Sequence, residues 1–158
     1  MKIGDIMNTE LMFLTPDNTI EEAMGIILHH CRTGLPVVDD DKQVIGFISE
    51  EDIIKKILPD YAIKLKSFAF LPDYGQFAKR FAVNRNVKVG EIMQKKVITF
   101  NVDDSDFAAA SEMLKKHIKL APVIDNKGTY VGCISRAFLI RSMMRIESHE
   151  ERKKPRYE

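Results

Sequence analysis

Lys2-Ile3-Gly4-Asp5-Ile6-Met7 returns, with only conservative exchanges, as Lys88-Val89-Gly90-Glu91-Ile92-Met93. Holding that offset of 86 residues aligns 2–58 with 88–144 without a gap, and fourteen of the aligned pairs are identical. Among them are Leu28/Leu114, Pro36/Pro122, Val37/Val123, Asp39/Asp125, Gly46/Gly132, Ile48/Ile134 and Ser49/Ser135. A register kept over that length marks a duplicated structural unit, and a repeat constrains the fold before any motif does.

Working outward, each copy shows the same run of periodicities. In the first, Ile20, Ala23, Met24, Ile27 and Leu28 fall at i, i+3, i+4, i+7 and i+8, which predicts one apolar stripe on a helix. Asp17-Asn18-Thr19 supplies its capping side chains and Glu21-Glu22 suits the positive end of its dipole. The second copy answers with Asp103-Asp104-Ser105, then Phe107, Ala110 and Leu114. Leu35-Pro36-Val37-Val38, the turn Asp39-Asp40-Asp41-Lys42 and Val44 to Ile48 predict a hairpin. Its counterpart runs from Ala121 to Ile124, turns at Asp125-Asn126-Lys127-Gly128 and returns from Tyr130 to Ile134, with Gly128 specifying the tighter turn. Ile53, Ile54, Ile57 and Leu58, matched by Leu139, Ile140, Met143 and Met144, predict a closing helix.

The expected fold is therefore α+β: two repeats of strand, helix, strand, strand, helix over 1–58 and 88–146, packed face to face about a pseudo-twofold axis. Residues 59–87 do not repeat. Phe68, Phe70, Phe77 and Phe81 predict a helical linker that packs on the repeats, with a break at Leu71-Pro72-Asp73-Tyr74-Gly75. The charged end, 147–158, is expected to be disordered.

Composition narrows the function. With 158 residues, 45% hydrophobic and 30% charged, the chain suits one interdependent globular module. A net charge of +1 gives no electrostatic basis for non-specific binding to nucleic acid or membrane. Cys31 and Cys133 lack CxxC spacing and read as buried free thiols in a reducing compartment, and with no apolar run of spanning length the expected location is the cytoplasm. His29, His30, His117 and His149 lack metal-ligand spacing. No Walker-type loop, GxSxG elbow or assembled nucleophile and base is present, so no catalytic residue, metal or cofactor is expected. Lys79-Arg80, Arg85 and Lys88, interleaved with Phe77 and Phe81, read as a basic outer face of the linker and not as a nucleic-acid surface.

The order strand, helix, Leu35-Pro36-Val37-Val38-Asp39, turn, Gly46-Phe47-Ile48-Ser49-Glu50-Glu51-Asp52, helix, duplicated in one chain, resembles the tandem CBS (cystathionine-beta-synthase) domain pair, or Bateman module. The resemblance implies a regulatory module for AMP, ADP, ATP or a related adenosine ligand such as S-adenosylmethionine, held in a cleft between the copies. It further implies a homodimer that acts through an unidentified partner or through self-association. Carried over by position, Ile48, Ser49 and Asp52 line the site, Thr33, Gly34 and Pro36 join them, and Val97, Ile98 and Lys119 complete it. Ser49 stands where its hydroxyl and the free N–H groups of a helix start can face a phosphate, and Asp52 where a carboxylate can accept from both ribose hydroxyls. The same two residues equally read as an ordinary helix cap. The second copy keeps Gly132 and Ser135 but has Phe138 in place of Asp52, which implies one competent site and a weaker or empty second one near Ser135, Arg136 and Arg32. The competing reading is a dimerisation or interaction module with no physiological ligand.

Overall fold

The computed structural model describes the backbone of residues 1–66 and 75–153, with side chains as far as Met144. The elements run α1 (Ile3–Ile6), α2 (Ile20–His29), β1 (Gly34–Val38), β2 (Val44–Ser49), α3 (Glu50–Ile57), α4 (Asp60–Lys64), α5 (Gln76–Asn84) and α6 (Val89–Ile92). There follow β3 (Phe100–Asn101), α7 (Asp106–Lys115), β4 (Leu120–Ile124), β5 (Tyr130–Ser135) and α8 (Arg136–Lys153). By contacts they form two units, residues 12–97 and residues 1–11 with 98–158, called here the first and second unit.

In the first unit β1 and β2 pair antiparallel from Gly34↔Ser49 to Val38↔Val44, with a bulge between Val37 and Val38. Leu14 joins Val37 through a single parallel bridge. The second unit repeats this: β4 and β5 pair from Leu120↔Ser135 to Ile124↔Tyr130, the bulge falls between Val123 and Ile124, and β3 pairs parallel with β4. The hairpin turns are organised identically. The Oδ1 atoms of Asp39 and Asp125 each accept from two backbone N–H groups, of residues 41 and 43 and of residues 127 and 129. Both turns need a left-handed residue, which Gly128 supplies at φ 82° and Lys42 at φ 58°.

The helices obey their start signals. Thr19 caps α2 by accepting from Glu22 N, while Glu22 accepts from Thr19 N, a reciprocal pair. Ser105 caps α7 by accepting from Ala108 N. Both helices end on a left-handed residue, Cys31 at φ 49° and His117 at φ 55°, with Arg32 N reaching Ile27 O and Ile118 N reaching Met113 O.

The apolar stripes are only half buried. Ile20, Ala23 and Ile27 enter the first core with Leu14, Leu35, Val37, Ile48, Ile53, Ile57 and Val89, but Leu28 and Ile54 stay exposed. In the second unit Ala109, Met113 and Leu139 are buried with Ile3, Ile6, Phe100, Val123 and Ile134. Phe107, Leu114, Ile140, Met143 and Met144, read from the sequence as inward, are exposed. Cys133 is buried as expected, whereas Cys31 is exposed because the left-handed helix end carries it outward.

The packing boundary departs from the repeat boundary. The leading segment of each copy packs with the other copy's hairpin. In the second unit, Ile3 N and Gly4 N donate to Asp104 O and Val102 O, and Asn8 pairs antiparallel with Cys133. In the first unit, Val89 N and Gly90 N donate to Asn18 O and Pro16 O, and Gln94 pairs antiparallel with Phe47. Gly46 and Gly132 permit these approaches: a Cβ on Gly46 would meet the Met93 thioether, and one on Gly132 would meet the Asn8 carbonyl.

The linker forms α4 and α5. Phe81 packs against the first core, while Phe77 is exposed. Phe68, Phe70 and residues 71–74 of the break expected at 71–75 lie outside the described residues, while Gly75 precedes α5 at φ 97°. Of the basic linker face, Arg85 engages Glu21 with two nitrogens and Lys88 pairs with Asp17. At the other end α8 runs from Arg136 to Lys153. Residues 154–158 lie outside the described residues.

Candidate functional site

Ser49 ends β2 and caps α3, so the chain turns from strand to helix at the residue the sequence singles out. Ser49 Oγ accepts from Asp52 N at 3.2 Å, and Asp52 Oδ2 accepts from Ser49 N and Ser49 Oγ at 2.8 Å each. From outside this cap, Gln94 Nε2 donates to Asp52 Oδ2 at 3.0 Å and to Oδ1 at 3.2 Å. Asp52 is half-buried, Gln94 exposed. Gln94 was not anticipated from the sequence; only its place after the repeated Met93, matching Asn8 after Met7, could have pointed to it.

Three of the N–H groups that the sequence suggested for a phosphate at the start of α3 are already engaged. Ser49 N and Asp52 N are taken by the cap, and Glu50 N donates to Thr33 O at 3.1 Å. Glu50, Glu51 and Asp52 also surround that turn with carboxylates, of which Glu51 pairs with Lys55 at 2.6 Å and holds the Lys55 ammonium above its usual range. Negative charge at a helix start stabilises the helix and repels anionic groups.

The structure gathers Thr33, Gly34, Pro36, Ile48, Ser49, Asp52 and Val97 into the first unit, and places Ile98 and Lys119 in the second. Gly34 pairs with Ser49, and a Cβ there would meet the Phe47 ring and stand 2.7 Å from Ile48 O, whereas the matching position opposite Ser135 in the second hairpin is Leu120. Pro36 is buried and gives its carbonyl to Leu14 N at 2.9 Å. Ile48 is fully buried in the first core, which leaves its main chain and not its side chain to face a ligand. Ile98 packs against the second core; Lys119 is exposed and its carbonyl accepts from Arg136 N at 3.3 Å.

Around Phe138 the chemistry differs. Ser135 Oγ accepts from Phe138 N at 3.3 Å, one bond against the three between Ser49 and Asp52, and α8 has no acidic residue in its first turn. Arg136, expected near an anion, donates from Nε to Ile118 O at 2.9 Å and from a terminal nitrogen to Met113 O at 3.5 Å, closing the end of α7. Arg32, half-buried, lies in the first unit. The Arg141 guanidinium stands 5.1 Å from the centre of the Phe138 ring, a cation–π contact. Asp5, Ile6, Met7, Phe138, Arg141 and Ser142 line a cavity of about 60 Å³, well below what a nucleotide occupies. Among the described residues no cluster of His, Cys, Asp or Glu could hold a metal ion, and no helix is long and apolar enough to cross a membrane.

Comparison with known proteins matches the CBS domain family at residues 3–59 and again at 89–143. The chain belongs to the CBS domain family. As a tandem CBS pair it is 28% identical over 158 aligned residues to the uncharacterized protein MJ1426 of Methanocaldococcus jannaschii, covering 91% of this chain and 92% of that one. The CBS-pair protein CBSX2 of Arabidopsis thaliana, solved as a crystal structure, has a TM-score of 0.76 at 23% identity, over 93% of this chain and 96% of its own. The CBS domain pair of protein MJ0100, solved in complex with 5′-methylthioadenosine and S-adenosyl-L-methionine, has a TM-score of 0.67 at 25% identity, over 90% and 99%. The α+β fold read from the repeat is thus that of the CBS pair.

Proposed function

We propose that this CBS pair is a regulatory sensor, not an enzyme, and that it binds an adenosine-bearing ligand at Ser49 and Asp52. The observation that carries the reading is the carboxylate of Asp52, held at the junction of β2 and α3 by a cap that fixes its orientation. Asp52 accepts the ribose hydroxyls, and Thr33, Gly34, Pro36, Ile48 and Val97 contribute main-chain and apolar surface. Ile98 and Lys119 remain assigned by the family resemblance. Support for the ligand class comes from two solved relatives: the CBSX2 structure in complex with AMP and the MJ0100 pair in complex with 5′-methylthioadenosine and S-adenosyl-L-methionine. The carboxylates of Glu50, Glu51 and Asp52 favour ligands with few phosphates, so AMP or S-adenosylmethionine is expected to bind more tightly than ATP.

A thermal-shift panel with AMP, ADP, ATP and S-adenosylmethionine tests this. Stabilisation by at least one of them, lost in Asp52→Ala, supports the sensor; no stabilisation at millimolar concentration contradicts it.

The second reading, a dimerisation module without a physiological ligand, is favoured by a different observation. Matched positions of the repeat leave large apolar side chains exposed in both units: Leu28 (71%) and Leu114 (63%), Ile54 (44%) and Ile140 (60%). Such residues on a soluble module suit burial against a second copy. The two readings are compatible, since self-association gives a sensor a route for its output. Leu28→Glu with Leu114→Glu converts a dimer to a monomer in light-scattering measurements if these side chains are buried at the interface; an unchanged mass excludes them.

A further inference from the structure

A carboxylate offers about four lone-pair directions. At Asp52 they are used unevenly: Oδ2 accepts from Ser49 N, Ser49 Oγ and Gln94 Nε2, and Oδ1 from Gln94 Nε2 alone. A ribose cis-diol needs two acceptor positions, and Gln94 covers two. The Ser49 bonds come from the helix cap and are kept as long as α3 keeps its start, whereas the Gln94 bonds come from an exposed side chain 42 residues away.

We propose that Gln94 is a displaceable latch on Asp52, a positioning residue that orients the carboxylate and yields its two bonds to the ligand's diol. The proposal rests on the reading that Asp52 receives ribose. The main chain of Gln94 is fixed to Phe47 by bonds of 2.9 and 2.8 Å, so the side chain can leave without disturbing the segment that carries it. The other copy shows where such an amide goes when there is no carboxylate. Asn8, the register equivalent of Gln94, pairs through its main chain with Cys133 and turns its side chain back on its own segment, Oδ1 accepting from Glu10 N at 2.9 Å.

Because the latch competes with the diol, its removal tightens binding of ligands that carry one and leaves others unaffected. Calorimetric titration of AMP and of 2′,3′-dideoxy-AMP into the full chain and its Gln94→Ala and Gln94→Met variants tests this. AMP is expected to bind roughly 3- to 10-fold more tightly to both variants, the net worth of one or two polar bonds, with no change for the dideoxy compound. A wild-type preference for AMP over the dideoxy compound, with no tightening in either variant, overturns the latch and leaves the Asp52 site standing. Equal affinity of the two compounds for wild type overturns the Asp52 assignment, and the latch with it.

Discussion

The two copies build the same hairpin and bring the partner copy's leading segment to the same strand, yet only one of them sets a carboxylate at the third helical position. In the first unit the serine cap closes on Asp52 and gathers Gln94; in the second it meets only the main chain of Phe138, while Asn8 turns away and Arg141 settles over the ring. The framework residues, such as Gly46/Gly132, Asp39/Asp125 and Ser49/Ser135, serve the fold in both copies. At the third helical position Asp52 in one copy and Phe138 in the other separate a polar constellation from an apolar one. A residue shared by the copies is therefore explained by packing first, and a residue that differs is where function is to be sought.

The glycines give the largest expected effect on that comparison. Gly132→Ala drives a Cβ into the Asn8 carbonyl, which belongs to a bridged main chain and cannot yield locally. It is expected to cost about 3 kcal/mol in urea unfolding. Gly46→Ala meets chiefly the flexible Met93 side chain and is expected to cost about 1 kcal/mol. Equal losses would show that the two approaches are equivalent after all.

The hairpin turns place different residues, Lys42 and Gly128, in the same left-handed position. Lys42→Gly is expected to raise stability by about 0.5–1 kcal/mol, and Gly128→Lys to lower it by about 1 kcal/mol, read as midpoint shifts in the same unfolding experiment. A stabilising Gly128→Lys would show that this turn does not hold its left-handed form.

The smallest effect is electrostatic. Lys2 and Asn126 bond Asp103, holding its carboxyl below the usual 3.8, and the same pair raises Lys2 above 10.5. A depressed carboxylate stabilises the fold above its unfolded pKa and loses that contribution as pH falls through its folded pKa. The raised lysine contributes below 10.5 and loses its share as pH climbs through its folded value. Thermal midpoints of Asp103→Asn should thus lie slightly below wild type at neutral pH and converge with it in acid; both groups are exposed, so the gap is small. A gap that widens in acid would contradict the assignment.

Much of this was legible in the residues. The offset of 86 exposed the duplication, turn residues and caps located the hairpins and helix starts, and Phe138 opposite Asp52 announced the asymmetry. The crossing of the leading segments was not legible, because Lys2–Met7 and Lys88–Met93 are so alike that neither states which hairpin it joins. Periodicity also misjudged Phe107 and Leu114, since an apolar stripe records that a face is to be buried and not by what. Gln94 escaped notice because its bond to Asp52 depends on that crossing.

The central claim, that the pair has one ligand position built on Asp52, is tested most directly by the stoichiometry of AMP in calorimetric titration of wild type, Asp52→Ala and Phe138→Asp. One AMP per chain in wild type, none in Asp52→Ala and a second in Phe138→Asp is the predicted result. Two equivalent sites in wild type, or binding that survives Asp52→Ala unchanged, would contradict it.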